Sequence, residues 1–193
     1  MRLTAPTFLL CACVMAVPLR AAAQDVNDKV RAFVASDLRG WAEDPAIVAA
    51  IQAGNAAHSD LTPEAIEALD QTWRAETAQT DRPTIQAVLD TPASQALREH
   101  VTGSDGFVTE AFVVDQTGLN VAASSVTSDY WQGDEAKFTK TYPEGADAVF
   151  IDEVEFDEST QSYQVQVSFT ITDPTSHAPI GAMTVGLDAE AFE

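Results

Sequence analysis

Between Thr127 and Pro143 the chain reads TSDYWQGDEAKFTKTYP. From Glu99 to Glu193 there are 18 acidic residues and two basic ones, and both of these, Lys137 and Lys140, fall inside that stretch beside Tyr130, Trp131 and Tyr142. Cations set among aromatics can grip a small polar molecule: the ammonium supplies charge and the rings supply an apolar wall. An anionic ligand of so acidic a chain needs a local cation, and Lys137 is the candidate. Asp129 and Asp134 are the matching candidates for an amine. If Asp134 caps a short helix reaching to about Thr141, then Trp131, Phe138 and Tyr142 share one face, with Asp134 and Lys137 on the adjacent one. The plain alternative is that the two lysines pair with Asp134, Glu135 or Glu144 at the surface while the aromatics pack the core.

A second candidate is the run SYQVQVSFTIT, in which Gln166, Ser168 and Thr170 either enter a pocket or face water. Catalytic patterns are lacking. His58, His100 and His177 are far apart and form no HxxxH or HExxH pair. Ser124-Ser125 lacks the Gly-x-Ser-x-Gly elbow, and no phosphate-binding glycine loop occurs. The acidic run DEVEFDE at 152–158 lacks the glycine spacing of calcium loops and reads as alternating charge on a strand and turn. No enzyme, metal site or cofactor is expected.

The elements that must position these residues change character near residue 105. Before it, Val26, Val30, Phe33, Val34, Leu38 and Trp41 recur at three- and four-residue spacing, the mark of a buried helical stripe. Asp44-Pro45 and Thr62-Pro63 each join a capping side chain to proline at the first helical position. The second opens a helix with Ile66, Leu69 and Trp73 on one face, and shorter helices are predicted over 83–90 and 93–100. Gly-Ser-Asp-Gly at 103–106 closes this section. Beyond it the period becomes two. FVTEAFVVD (107–115) and LNVAASS (119–125) read as strands around a tight turn, and AVFIDEVEF (148–156) pairs with SYQVQVSFTIT (162–172) across the turn DEST. In 163–172, Tyr163, Val165, Val167, Phe169 and Ile171 alternate with polar residues, giving two unlike faces. IGAMTVGLD (180–188) is the last strand. The class is α+β: N-terminal helices, then an antiparallel sheet of about five strands.

The first 23 residues read as an export signal: Arg2, an apolar stretch, then Ala21-Ala22-Ala23 as a cleavage site. Only 17 residues separate Arg2 from Arg20, and Pro6 and Pro18 lie among them, short for a membrane span. Cys11 and Cys13 both lie in this segment, so the remaining chain (24–104 helical, 105–193 sheet, one compact unit) has neither a disulfide nor a thiolate. Loss of Arg2 and Arg20 takes the formal charge from −20 to −22. That balance argues against nucleic acid and anionic lipid as partners. A periplasmic location without membrane insertion is expected.

The order of pieces in VVDQTGLNVAASS, DYWQGDEAKFTKTYP and APIGAMTVGLD, spanning about 110–188, resembles the PAS-like extracytoplasmic sensor domains called Cache or PDC domains, of the single-domain type. The resemblance implies a PAS-like sheet whose pocket is covered by the loop between the second and third strands. It also implies that Lys137 takes the place of a ligand-gripping arginine and Tyr142 that of a following aromatic, with Tyr130 and Trp131 at the mouth. Lysine in place of arginine gives up bidentate recognition of a carboxylate. The expected function is a periplasmic sensory domain for a small polar ligand, an amino acid or a carboxylate, that signals through a separate membrane-bound partner. Its ligand set would be Lys137, Tyr130, Trp131, Tyr142, Asp129 or Asp134, and Gln166 and Ser168 from the sheet. The alternative is an acidic protein-interaction module without a small ligand.

Overall fold

The structure is a computed structural model, and it describes residues 18–157 and 162–192. Residues 1–17, with both cysteines, and most of the turn DEST lie outside the described residues. Helix α1, Pro18–Phe33, runs unbroken across the predicted cleavage site. It continues through a π-helical turn, Val34–Leu38, into α2, Arg39–Ala42. The buried residues of this rod are Val30, Val34, Leu38 and Ala42, one in every four. Four residues of an ideal α-helix turn through about 400°, so such a stripe would drift by roughly 40° a step. The wider π turn takes up that drift and keeps the stripe on the sheet.

Prolines open the next four helices: α3, Pro45–His58; α4, Pro63–Glu76; α5, Pro83–Leu89; and α6, Pro92–Gly103. The Asp44 carboxylate accepts from Ala46 N, Thr62 Oγ1 from Ala65 N, and Thr91 Oγ1 from Ser94 N, satisfying first-turn amides. Helix α5 has no cap of its own. Glu76, buried at the end of α4, accepts there instead from Thr84 N (2.9 Å), Ile85 N (3.0 Å) and Thr84 Oγ1 (2.8 Å).

The sheet comprises β1 Val108–Val114, β2 Asn120–Ala123, β3 Val149–Ile151, β4 Glu155–Asp157, β5 Ser162–Thr172 and β6 Pro179–Asp188. All pairings are antiparallel, in the order β2-β1-β6-β5-β3, with β4 also on β5. This is the expected α+β architecture with a PAS-like sheet after N-terminal helices.

One expectation is corrected. The stretch 148–156 is not a single strand: Ile151 pairs with Val167 but Glu155 with Gln164, four steps against three. The extra residue is a bulge. Asp152 Oδ1 accepts from Glu153 N at its start. The bulge brings Glu155, rather than Val154, opposite Gln164.

The two faces of the sheet carry separate cores. Val113, Val165, Val167, Phe169, Met183 and Val185 meet the rod, α3 and α6 on one side. Phe112, Val114 and Ala182 meet α4, α5 and the loop after β2 on the other.

Candidate ligand-binding site

The loop from β2 to β3 crosses this second face in two halves that are tied down differently. Its first half is strapped to α4 and the β1–β2 hairpin. Asp70, 7% exposed, accepts through Oδ1 from Tyr130 N (2.8 Å) and Trp131 N (3.0 Å). Its other oxygen meets Arg74 Nε at 2.8 Å, and Arg74 Nη2 meets Asp129 Oδ1, also at 2.8 Å. Trp73 donates to Thr127 O and stacks on the Tyr130 ring, with centroids 5.1 Å apart. Trp131 Nε1 donates to Thr117 O, and Asn120 Nδ2 to Thr127 Oγ1 and Asp129 O. The hairpin can come this close only at Gly118, which has φ +85° and where a Cβ would stand 2.5 Å from Gly133 Cα.

The second half carries α7, Ala136–Thr139, and a 3₁₀ turn, Tyr142–Glu144, and lies on the sheet. The Lys137 ammonium sits 5.5 Å from the centre of the Phe112 ring and 3.0 Å from Glu135 Oε2, with 16% of its side chain exposed. Lys140 lies over Phe150, and Tyr142 stacks on buried Phe138. Asp134 is exposed and caps nothing; the residue before α7 is Glu135, whose side chain makes no capping bond.

Between α7 and the β4–β5 edge the sheet face opens as a recess of about 460 Å³. Register explains its floor. Glu110 and Gln166 both lie opposite Gly186, and Gln166 Nε2 donates to Glu110 Oε1 at 2.9 Å above it. A Cβ on Gly186 would meet Glu110 Cγ at 2.8 Å and Thr109 Oγ1 at 2.7 Å. The walls add Lys137, Glu135, Asp152, Glu153 and Glu155, so five carboxylates surround one ammonium. Two rows farther along the same face, Ser168 shares a hydrogen bond with Thr184 (3.0 Å). Thr170 Oγ1 has no partner among the described residues. At 1% exposure each, neither Ser168 nor Thr170 faces water.

Of the eight residues the sequence suggested, Lys137 and Gln166 therefore meet in the recess. Ser168 lies deeper on the same face, and Tyr142 stacks on Phe138. Asp129, Tyr130 and Trp131 are held in the strap, in the other half of the loop, and Asp134 stands apart. Glu110 and Gln164 were not singled out, and Asp152 and Glu155 were read only as alternating charge in the run 152–158. Their signal was available in part, because Glu110, Phe112 and Val114 alternate onto one face of β1. The His58–Asp115 contact, 2.5 Å between Nδ1 and Oδ2, joins residues 57 apart and had no sequence signal.

No family model and no curated protein matches the chain. Among solved structures it is similar to the sensory domain of the Campylobacter jejuni chemoreceptor Tlp3 with isoleucine bound, at 9% identity and TM-score 0.41 over 91% of this chain and 66% of that one. It is similar also to the ligand-binding domain of the Pseudomonas aeruginosa amino acid chemoreceptor PctC in complex with GABA (14%, TM-score 0.41, 88% and 62%). The sensor domain of the V. cholerae histidine kinase DctB is a third (12%, TM-score 0.34, 89% and 57%). The chain spans less than two thirds of the length of each. With every TM-score below 0.5 these likenesses establish neither ligand nor role, and the fold rests on the sheet order described above.

Proposed function

We propose that the chain is an extracytoplasmic sensory domain of the Cache type that binds a small polar ligand in the recess between α7 and the β4–β5 edge. The observation that carries this reading is the recess itself: an open polar sheet face beneath a loop, with one lysine among five carboxylates. Lys137 already faces Glu135, so the remaining field is negative and favours a ligand with an ammonium group. Among the described residues no three metal-binding side chains converge on an ion site. An amino acid or amine fits better than a simple carboxylate: the ammonium would meet Glu110 and Glu155, and an amino acid's carboxylate would displace Glu135 from Lys137. The role is binding rather than catalysis. The signal would pass to a separate membrane-bound partner, and the N-terminal segment would direct export to the periplasm. Among the described residues no helix is long and apolar enough to cross a membrane.

A thermal-shift screen of amino acids, amines, carboxylates and divalent ions tests this, since a ligand of the folded state raises Tm with its occupancy. Amino acids or amines should stabilise, and Lys137→Gln should weaken amino acids more than amines. Stabilisation by carboxylates alone, or affinity indifferent to Glu110→Gln, would count against the recess.

A second reading has one observation in its favour. Val154, Phe156 and Tyr163 are 49%, 49% and 53% exposed together at the β4–β5 edge, a surface suited to a protein partner. A screen flat across every class would favour that interaction module.

A further inference from the structure

On the far side of the strap lies a second cavity, a hollow of about 290 Å³ open to solvent, between α3, α5 and β2. Asp115, at the end of β1, is fully buried, and its Oδ1 accepts from Thr117 N (2.8 Å), Thr117 Oγ1 (2.6 Å) and Leu119 N (3.3 Å). Its Oδ2 faces His58 Nδ1 at the last turn of α3. With the Nδ1 proton engaged by that carboxylate, Nε2 is the acceptor in the neutral tautomer of the ring. Among the described residues Nε2 has no partner.

Nor has the hydroxyl of Tyr130 among those residues, although Tyr130 is only 8% exposed and its ring is fixed against Trp73. Burial, and then the charge of Asp115, push that hydroxyl up to about 12, so it remains a donor at any ordinary pH. His58 and Tyr130 line the same cavity, and most of its remaining wall is small and apolar: Ala53 and Ala57 of α3, Ala87 of α5 and Val121 of β2. Gly54 is what lets α3 approach so closely, since a Cβ there would stand 2.4 Å from Val121 Cγ1.

We propose that this cavity is a binding site for a small uncharged hydroxyl compound, an alcohol or a phenol. Its oxygen accepts from Tyr130, its O–H donates to His58 Nε2, and its apolar body lies against the alanines. Only a group that both accepts and donates satisfies the two protein atoms together. An anion would meet the field of buried Asp115, and an ammonium has nothing with which to accept from Tyr130. This site shares no lining residue with the recess and stands or falls independently of it.

The test is titration of the protein with phenol, toluene and benzoate, followed by NMR at the His58 imidazole nitrogens and the methyls of Ala53, Ala57 and Ala87. Phenol is expected to give saturable shifts at roughly tenfold lower concentration than toluene, which has the same body without the hydroxyl. Tyr130→Phe keeps the ring on Trp73 and should weaken phenol about tenfold while leaving toluene unchanged. Should that variant fail to fold, His58→Gln makes the same comparison. Toluene binding as tightly as phenol, benzoate binding more tightly, or no saturable shift with any of the three overturns the proposal.

Discussion

Gln166 donates to Glu110 at 2.9 Å across Gly186, so two side chains from strands that are not neighbours are joined over a residue that has none. Gly186→Ala should break that bond, because Glu110 Cγ stands where the new methyl must go. Overpacking of this kind costs about 1–3 kcal/mol. The expected result is a Tm lower by roughly 3–10 °C, with loss of ligand stabilisation in the thermal-shift screen. An unchanged Tm would show that Glu110 moves aside freely.

Asp70 is the knot of the strap. Asp70→Ala leaves the amides of Tyr130 and Trp131 without their acceptor, at a cost of about 2–4 kcal/mol. Hydrogen exchange at those two amides should accelerate far more than at β5. Arg74→Ala removes only a largely exposed partner and should cost under about 1 kcal/mol. Equal effects from the two variants would mean that the ion pairs, not the amide bonds, hold the loop.

Glu76→Ala uncaps α5 from the neighbouring helix. Three hydrogen bonds disappear, two of them from amides at the positive end of that helix. A loss of about 2–3 kcal/mol is expected, read as a lower urea midpoint with an unchanged slope. A changed slope would show that α5 had come away from the native state.

The raised Tyr130 hydroxyl sets an alkaline limit. Its ordinary value is 10.0 and the folded chain holds it at about 12, so the folded state keeps the proton to higher pH. That contribution is complete below about pH 10 and is lost as pH rises from 10 to 12, with an order of 2 kcal/mol at stake. Phenolate absorbance should show one of the three tyrosines titrating near 12. Tyr130→Phe should abolish that step and flatten stability over the same window. A Tyr130 phenol that ionises near 10 would contradict its burial.

The elements were legible wherever the signal was local. Asp44-Pro45 and Thr62-Pro63 announced their helices because cap and proline act within one turn, and the alternation of 163–172 gave β5 almost to the residue. The loop was legible as a chemical cluster but not as a shape. Tyr130 and Trp131 stand a few residues from Lys137, yet Asp70 and Thr117, distant in sequence, draw the first pair one way while Phe112 receives Lys137 on another. The bulge between β3 and β4 was hidden for a related reason. It exists only relative to the register of β5, and without it Val154 would stand where Glu155 does.

The π turn at Val34–Leu38 carries a consequence for how the first helix tolerates change in length. A rod wound with one wide turn holds one residue more than its buried face requires. Deleting Ser36, which is exposed on that turn, would let it close to ordinary α winding with both flanking stretches still seated. Deleting Arg31 from the regular part would swing Val26 and Val30 about 100° off the sheet. The helix thus holds a spare residue at one place, and there alone it can be shortened without losing phase.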